Sequence, residues 1–251
     1  MTDNKFRYKI IIEYIGKGFY GWQIQENLPT IQGVIEQAIL EFTKEKVAVI
    51  ASGRTDTGVN AYAQVAHFDL SKEYVPYQVT SSLNHFIRPH KIGIIDCEIV
   101  SNEFHARFSA KARHYVYKIL NRNGINIIDK DLKLWVKDKL DITVMRQASK
   151  YLIGKHDFSS FRAKECQAKS AIKTLSEIRV EEEGDNIDIY FSAPSFLHHM
   201  VRNIVGSLLL VGRGKWSPEK IKQVLEAKDR KLAGPTAPAY PLYFIGTDYE
   251  F

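Results

Sequence analysis

Apolar residues recur along this chain with two periods, and those periods divide it into elements. Residues 8–14 (Y-K-I-I-I-E-Y) form a β-branched run that predicts a strand. Across residues 30–45, Ile31, Val34, Ile35, Ala38, Ile39 and Phe42 fall at i, i+3, i+4 spacing. That spacing predicts an amphipathic helix with Thr30 as its N-cap. Strands are predicted at 47–50, 63–70 and 92–100, with a short helix near 77–86. Further on, 113–120 reads as a strand, 142–152 as a helix, and 171–180 with 187–192 as a hairpin turning on E-E-G-D-N. A strongly apolar helix follows at 196–211. Another lies at 218–227, with Pro218 at its start, where a missing N–H costs least. Residues 243–249 are the last predicted strand, and the Pro-rich loop 231–241 caps the C-terminal half. Each half mixes antiparallel-style strands with one or two helices. The predicted class is therefore α+β, as two related lobes, 1–103 and 104–251, whose sheets leave a cleft.

Charge sharpens this picture. The 251 residues carry a net charge of +6, with −2 over 1–103 and +8 over 104–251. A polyanionic partner is favoured, and nucleic acid over a membrane surface, since no basic amphipathic anchor stands out. No run of about 18 apolar residues appears, and the first residues form no signal core. Cys97 and Cys166 lie far apart and form no C-x-x-C pair, so a cytoplasmic protein without disulfides is expected. There is no H-E-x-x-H, no close carboxylate cluster, and no Walker or Rossmann glycine pattern, so neither a metal nor a cofactor is expected. His198 and His199, adjacent on a predicted helix, would point about 100° apart and would not chelate one ion together.

Three stretches carry candidate chemistry. In S-G-R-T-D-T-G-V-N-A, residues 52–61, Asp56 is presented between Gly53 and Gly58, with Arg54 two residues before it. A carboxylate so placed serves as nucleophile, base or ligand, or simply forms a turn. Asp56-Thr57-Gly58 also spells the D-T-G of aspartic proteases. That chemistry needs two carboxylates, and this chain has one such motif. The second stretch, F-H-A-R-F-S-A-K-A-R-H-Y-V-Y-K-I at 104–119, gathers Arg107, Lys111 and Arg113 beside Tyr115 and Tyr117. Cations with interleaved aromatics suit phosphates and unstacked bases, and an ordinary amphipathic strand with core tyrosines fits equally well. The third, F-L-H-H-M-V-R-N-I-V-G at 196–206, sets Arg202 among apolar residues, which calls for an anion from the fold or from a ligand.

Together with Y-I-G-K-G-F-Y-G-W-Q at 14–23, T-I-Q-G-V-I-E at 30–36, D-F-S-S-F-R at 157–162 and A-K-D-R ahead of A-G-P-T-A-P-A at 227–239, these stretches resemble, in order and spacing, the bacterial tRNA pseudouridine synthase A family. The resemblance covers nearly the whole chain. Two departures lie beside the carboxylate: the family more often has Ala where Thr57 stands and His where Asn60 stands. The resemblance implies two ferredoxin-like (RRM-like) lobes with a shared, mainly antiparallel sheet, and a homodimer that acts on tRNA without a cofactor. It implies isomerisation of uridines 38, 39 and 40 of the anticodon stem-loop. Asp56 would be the catalytic aspartate, Tyr115 the tyrosine under the target base and Arg202 the cation paired with Asp56. Arg54 would help extrude the nucleotide, with Arg107 and Arg113 as further substrate contacts. A non-catalytic RNA-binding protein on the same scaffold is the alternative.

Overall fold

The alternation at the start of the chain becomes the buried face of strand β1 (Phe6–Tyr14) in the computed structural model, which describes residues 5–250. Tyr8, Ile10, Ile12 and Tyr14 all point into the core, because successive strand residues face opposite sides. β1 pairs antiparallel with β3 (Asn60–Leu70) on one side and β4 (Ile92–Val100) on the other. Helix α1 (Ile31–Thr43) buries Ile31, Ile35, Ala38 and Ile39, and Thr30 Oγ1 accepts the Gly33 N–H at 3.3 Å as its cap. α1 packs on helix α2 (Pro76–Ile87), which also lies against β4. Strand β2 is shorter than the expected 47–50. Lys44 leaves α1 in the left-handed conformation, and only Ile50–Ala51 reach partners on β3.

The chain separates into two units, one running to Lys111 and resuming at Phe244, the other spanning Ala112–Tyr243. The boundary therefore differs from a single division at 103/104. The final strand β11 (Leu242–Tyr249) returns to the first unit, giving the order β4-β1-β3-β11 there. Thr247 Oγ1 donates to Ser52 Oγ at 2.8 Å, and Tyr249 OH donates to the Ala106 carbonyl at 2.7 Å, fixing that return.

In the second unit the strand order is β5 (Ala110–Asn121), β10 (Asn186–Ala193), β9 (Glu177–Glu183), all antiparallel, with β6 (Leu134–Val136) parallel to β5. The strand expected at 171–180 divides near Ser176. Its first part, β8 (Ile172–Leu175), pairs with β7 (Gly154–Asp157) instead, and β9 alone forms the hairpin with β10. Gly184, at φ +58°, makes the hairpin turn. Helix α3 (Ile142–Lys150) packs on β9, α4 (Met200–Gly212) and α5 (Glu219–Ala227). α4 begins at Met200 rather than at 196, because His199 adopts φ +60°, outside the right-handed helical region.

α4 carries buried polar side chains. Asn203 Nδ2 donates to the Phe161 carbonyl at 2.8 Å. Its Oδ1 accepts from Thr236 Oγ1 at 2.7 Å and from Arg230 Nη2 at 3.0 Å. Ser207 Oγ donates to the Asn203 carbonyl and accepts the Gly234 N–H, each at 2.9 Å. The loop expected to cap the C-terminal half thus lies along the α4 backbone. A β-carbon on Gly206 would sit 1.7 Å from the Pro235 carbonyl oxygen.

His67 is a buried histidine of the first unit. Its Nδ1 accepts the Ala106 N–H at 3.2 Å, so the ring bonds as the neutral form. Burial, reinforced by the Arg7 charge, lowers its pKa from 6.5 to about 4.

Two outcomes follow from these packings. Gly206→Ala is expected to destabilise the protein by about 3 kcal/mol or more, since backbone must move, whereas Gly246→Ala, with open space around it, is expected to stay within about 0.5 kcal/mol; urea unfolding measures both. The unfolded chain protonates His67 near its ordinary pKa and the folded chain does not. The stability that His67 contributes is thus complete above about pH 6.5 and lost as pH falls toward about 4. Across that window the wild type is expected to lose about 1–3 kcal/mol more than His67→Gln in the same unfolding measurement.

Candidate active site

The loop bearing Asp56 joins β2 to β3 and is held from below by residues 14–22. The Thr55 carbonyl accepts the Trp22 N–H at 3.1 Å, and Thr55 Oγ1 bonds the Tyr14 hydroxyl at 2.8 Å. Gly21 sits at φ +85°, and a β-carbon there would lie 2.7 Å from the Thr55 carbonyl oxygen. Gly16 approaches as closely, since its β-carbon would be 2.2 Å from the Val59 carbonyl oxygen. These two glycines let two stretches of backbone meet where no side chain fits. The Asn60 amide oxygen accepts the Gly16 N–H at 2.8 Å. On the other flank Ser52 Oγ donates to Gln64 Oε1 at 2.8 Å, and Gln64 Nε2 donates to the Gly53 carbonyl at 2.9 Å. Val59 N–H closes the turn on the Asp56 carbonyl at 3.1 Å, with Gly58 at φ +78°.

Asp56 is therefore half-buried on a fixed loop, while Arg54, two residues earlier, is exposed. Burial raises the Tyr14 hydroxyl to about 12, so it remains a neutral donor or acceptor beneath the loop at physiological pH. The two departures separate clearly. Thr57 is exposed, while Asn60 is buried and bonds to backbone, so Asn60 acts on loop rigidity rather than at an outer surface. The sequence left the supporting role of Tyr14, Gly16, Gly21 and Trp22 unassigned. Its trace there was three glycines set among aromatics, of which Gly16 and Gly21 make the close approaches.

Arg107, also in the first unit, lies in an exposed loop with its guanidinium 5.6 Å from the Phe108 ring centroid. The other candidates belong to the second unit. Tyr115, on β5, is buried, with its ring edge-on to Phe196 at 5.2 Å. Tyr117 shares that face and donates its hydroxyl to the Pro238 carbonyl at 3.1 Å, and burial raises its pKa. Arg113 Nη1 donates to the Pro194 carbonyl at 2.5 Å. Arg202, in the first turn of α4, donates Nε–H to the Ala237 carbonyl at 2.8 Å, and the Ala237 N–H returns to the Arg202 carbonyl at 3.1 Å. This reciprocal pair fixes where the guanidinium leaves the helix. His198 and His199 precede α4 rather than lying on it, and their rings stand 3.9 Å apart at 39°, so the 100° divergence expected of a helix does not hold.

Residues 10–109 and 148–250 match the model of a family described as tRNA pseudouridine synthase. The tRNA pseudouridine synthase A of Ehrlichia canis (strain Jake) is 50% identical over 244 residues, covering 97% of this chain and all of that protein. The tRNA pseudouridine synthase A of Orientia tsutsugamushi (strain Boryong) is 47% identical over 282 residues, covering 97% and 99%. A looser likeness reaches one chain of a Cbf5-Nop10-Gar1 complex, with 13% identity and a TM-score of 0.35, over 94% of this chain and 48% of that one. Matched along nearly its whole length at about half identity, with the Asp56 loop inside the match, the chain belongs to the tRNA pseudouridine synthase A family.

Proposed function

We propose that this chain converts uridine to pseudouridine at positions 38, 39 and 40 of the tRNA anticodon stem-loop, with Asp56 as its catalytic carboxylate. The observation that carries this reading is the full-length identity to tRNA pseudouridine synthases A, together with a carboxylate on a loop whose backbone is fixed from both flanks. The reaction breaks the C1′–N1 bond, turns the base and joins C1′ to C5. A proton leaves C5 and one is taken up at N1, so atoms and electrons balance within one nucleotide and the chemistry needs no redox partner. One carboxylate suffices, as a nucleophile or as the counter-charge to a cationic sugar.

The remaining roles follow the resemblance. Tyr115 provides a ring under the uracil and a hydroxyl for proton movement. Arg202 supplies the positive charge that partners the Asp56 carboxylate. Arg54 helps extrude the target nucleotide, a step that costs a few kcal/mol, and Arg107 and Arg113 contact the backbone to offset it. The architecture belonging to this reading is two ferredoxin-like lobes sharing a mainly antiparallel sheet around a central cleft, as a cytoplasmic homodimer.

Tritium release from tRNA labelled at uracil C5 tests the reading. Wild type is expected to release tritium, and Asp56→Asn to lose at least about a thousandfold in turnover with tRNA affinity and unfolding midpoint retained. Activity of the variant within tenfold of wild type would remove Asp56 from the mechanism, and binding by wild type without release would favour a non-catalytic RNA-binding protein. Arg202→Met is expected to lose turnover by about a hundredfold or more with a smaller change in affinity, and Arg202→Lys, which keeps the charge but not the planar fork, to recover part of it.

A further inference from the structure

Seven residues before Tyr115, the loop between β4 and β5 holds an aromatic ring in solvent. Phe108 is 76% exposed, whereas Phe104 in the same loop is 9% exposed. A single apolar ring at a surface needs no explanation by itself. This one is built upon. The His105 ring lies 4.3 Å from it at 32°, and the Arg107 guanidinium lies 5.6 Å from its centroid.

The loop beneath the ring is bonded at nearly every residue. His105 Nδ1 accepts the N–H groups of both Arg107 and Phe108 at 3.2 Å. The His105 N–H donates to Ser109 Oγ at 3.0 Å, and the Ser109 N–H returns to the His105 carbonyl at 2.9 Å. Ala106 is held on both sides, its N–H by His67 Nδ1 at 3.2 Å and its carbonyl by Tyr249 OH at 2.7 Å. Arg7 Nη1 donates to the carbonyls of Asn102 and Phe104 at 2.6 and 2.7 Å. The exposed ring is thus fixed in place before any partner arrives, which lowers the ordering cost of binding.

We propose that Phe108, flanked by His105 and Arg107, is a stacking platform for an unpaired base of the RNA substrate. This inference rests on the reading that the substrate is RNA. An aromatic face accepts any base, and a guanidinium beside it adds cation–π attraction and reaches the adjoining phosphate. A protein partner would call for a broad apolar patch. Here the other exposed residues of the loop are polar or charged: Ser101, Asn102, Glu103 and Arg107.

The test compares Phe108→Ala, Phe108→Leu and Phe108→Trp in the full chain. It reads tRNA binding, tritium release and the emission of the introduced tryptophan against the wild-type background. Expected are a rise of about tenfold in Kd and KM for Ala and Leu, a loss that falls on these constants rather than on kcat, and an unchanged unfolding midpoint. Phe108→Trp is expected to bind as wild type, with its added emission quenched by tRNA. Wild-type affinity in Ala, equal binding by Leu and Phe, or a tryptophan indifferent to tRNA would each overturn the proposal. So would a changed oligomeric state with unchanged Kd, which would assign the ring to a protein interface. A wild type that binds through Phe108 without releasing tritium would keep the platform and remove the enzyme reading. Release with no dependence on Phe108 would do the reverse.

Discussion

The Thr55 carbonyl oxygen receives the Trp22 N–H at a place where a β-carbon on Gly21 would be 2.7 Å away, and much of the first unit is arranged around that approach. For the two backbones to meet, Gly16 and Gly21 must both lack side chains, although glycine is the costliest residue to order. Tyr14, Asn60, Ser52 and Gln64 then tie the same loop to β1 and β3. The position of Asp56 is thereby inherited from the sheet. Rigid support of this kind is what a reacting group needs, since small displacements of a catalytic atom have large effects on rate.

α4 solves a similar problem with similar means. Gly206 allows the Pro235 carbonyl to lie against the helix. Asn203, Ser207, Thr236 and Arg230 link the two, and the exchange between Arg202 and Ala237 is part of the same contact. In both units a chemically capable side chain stands on backbone that glycine and buried amides or hydroxyls lock to a neighbouring segment. Each buried donor and acceptor there is costly if left unmatched, so these networks specify one arrangement and disfavour nearby ones.

Periodicity made β1, α1 and β4 legible, because Tyr8, Ile10 and Ile12, or Ile31, Ile35 and Ile39, bury one face with nothing irregular between them. β6 and β7 escaped notice because three or four residues are too few to show a period. The division of 171–180 was hidden because Ser176 is unremarkable in composition, and two different partners, β7 and β10, decide the break. His199 was read into α4 because Leu197, Met200 and Val201 continue an apolar pattern across it, whereas a left-handed backbone leaves no trace in hydropathy. Among the candidate residues, the glycine-flanked Asp56 and the cation in an apolar helix were visible as residue types. What holds them was not, because the need for glycine at 16 and 21 is set by carbonyl groups more than thirty residues away.

β11 is made after the whole of the second unit, yet it completes the sheet order β4-β1-β3-β11 of the first. During synthesis, the contiguous span Ala112–Tyr243 can therefore close first, while the part of the β3 edge that β2 does not cover waits unpaired. An open edge is a template for pairing with another chain, so the nascent protein passes through a period of exposure that its finished form conceals. A ribosome that stops short of β11 leaves a first unit lacking one wall, and such a product is open to proteases in a way that the complete chain is not.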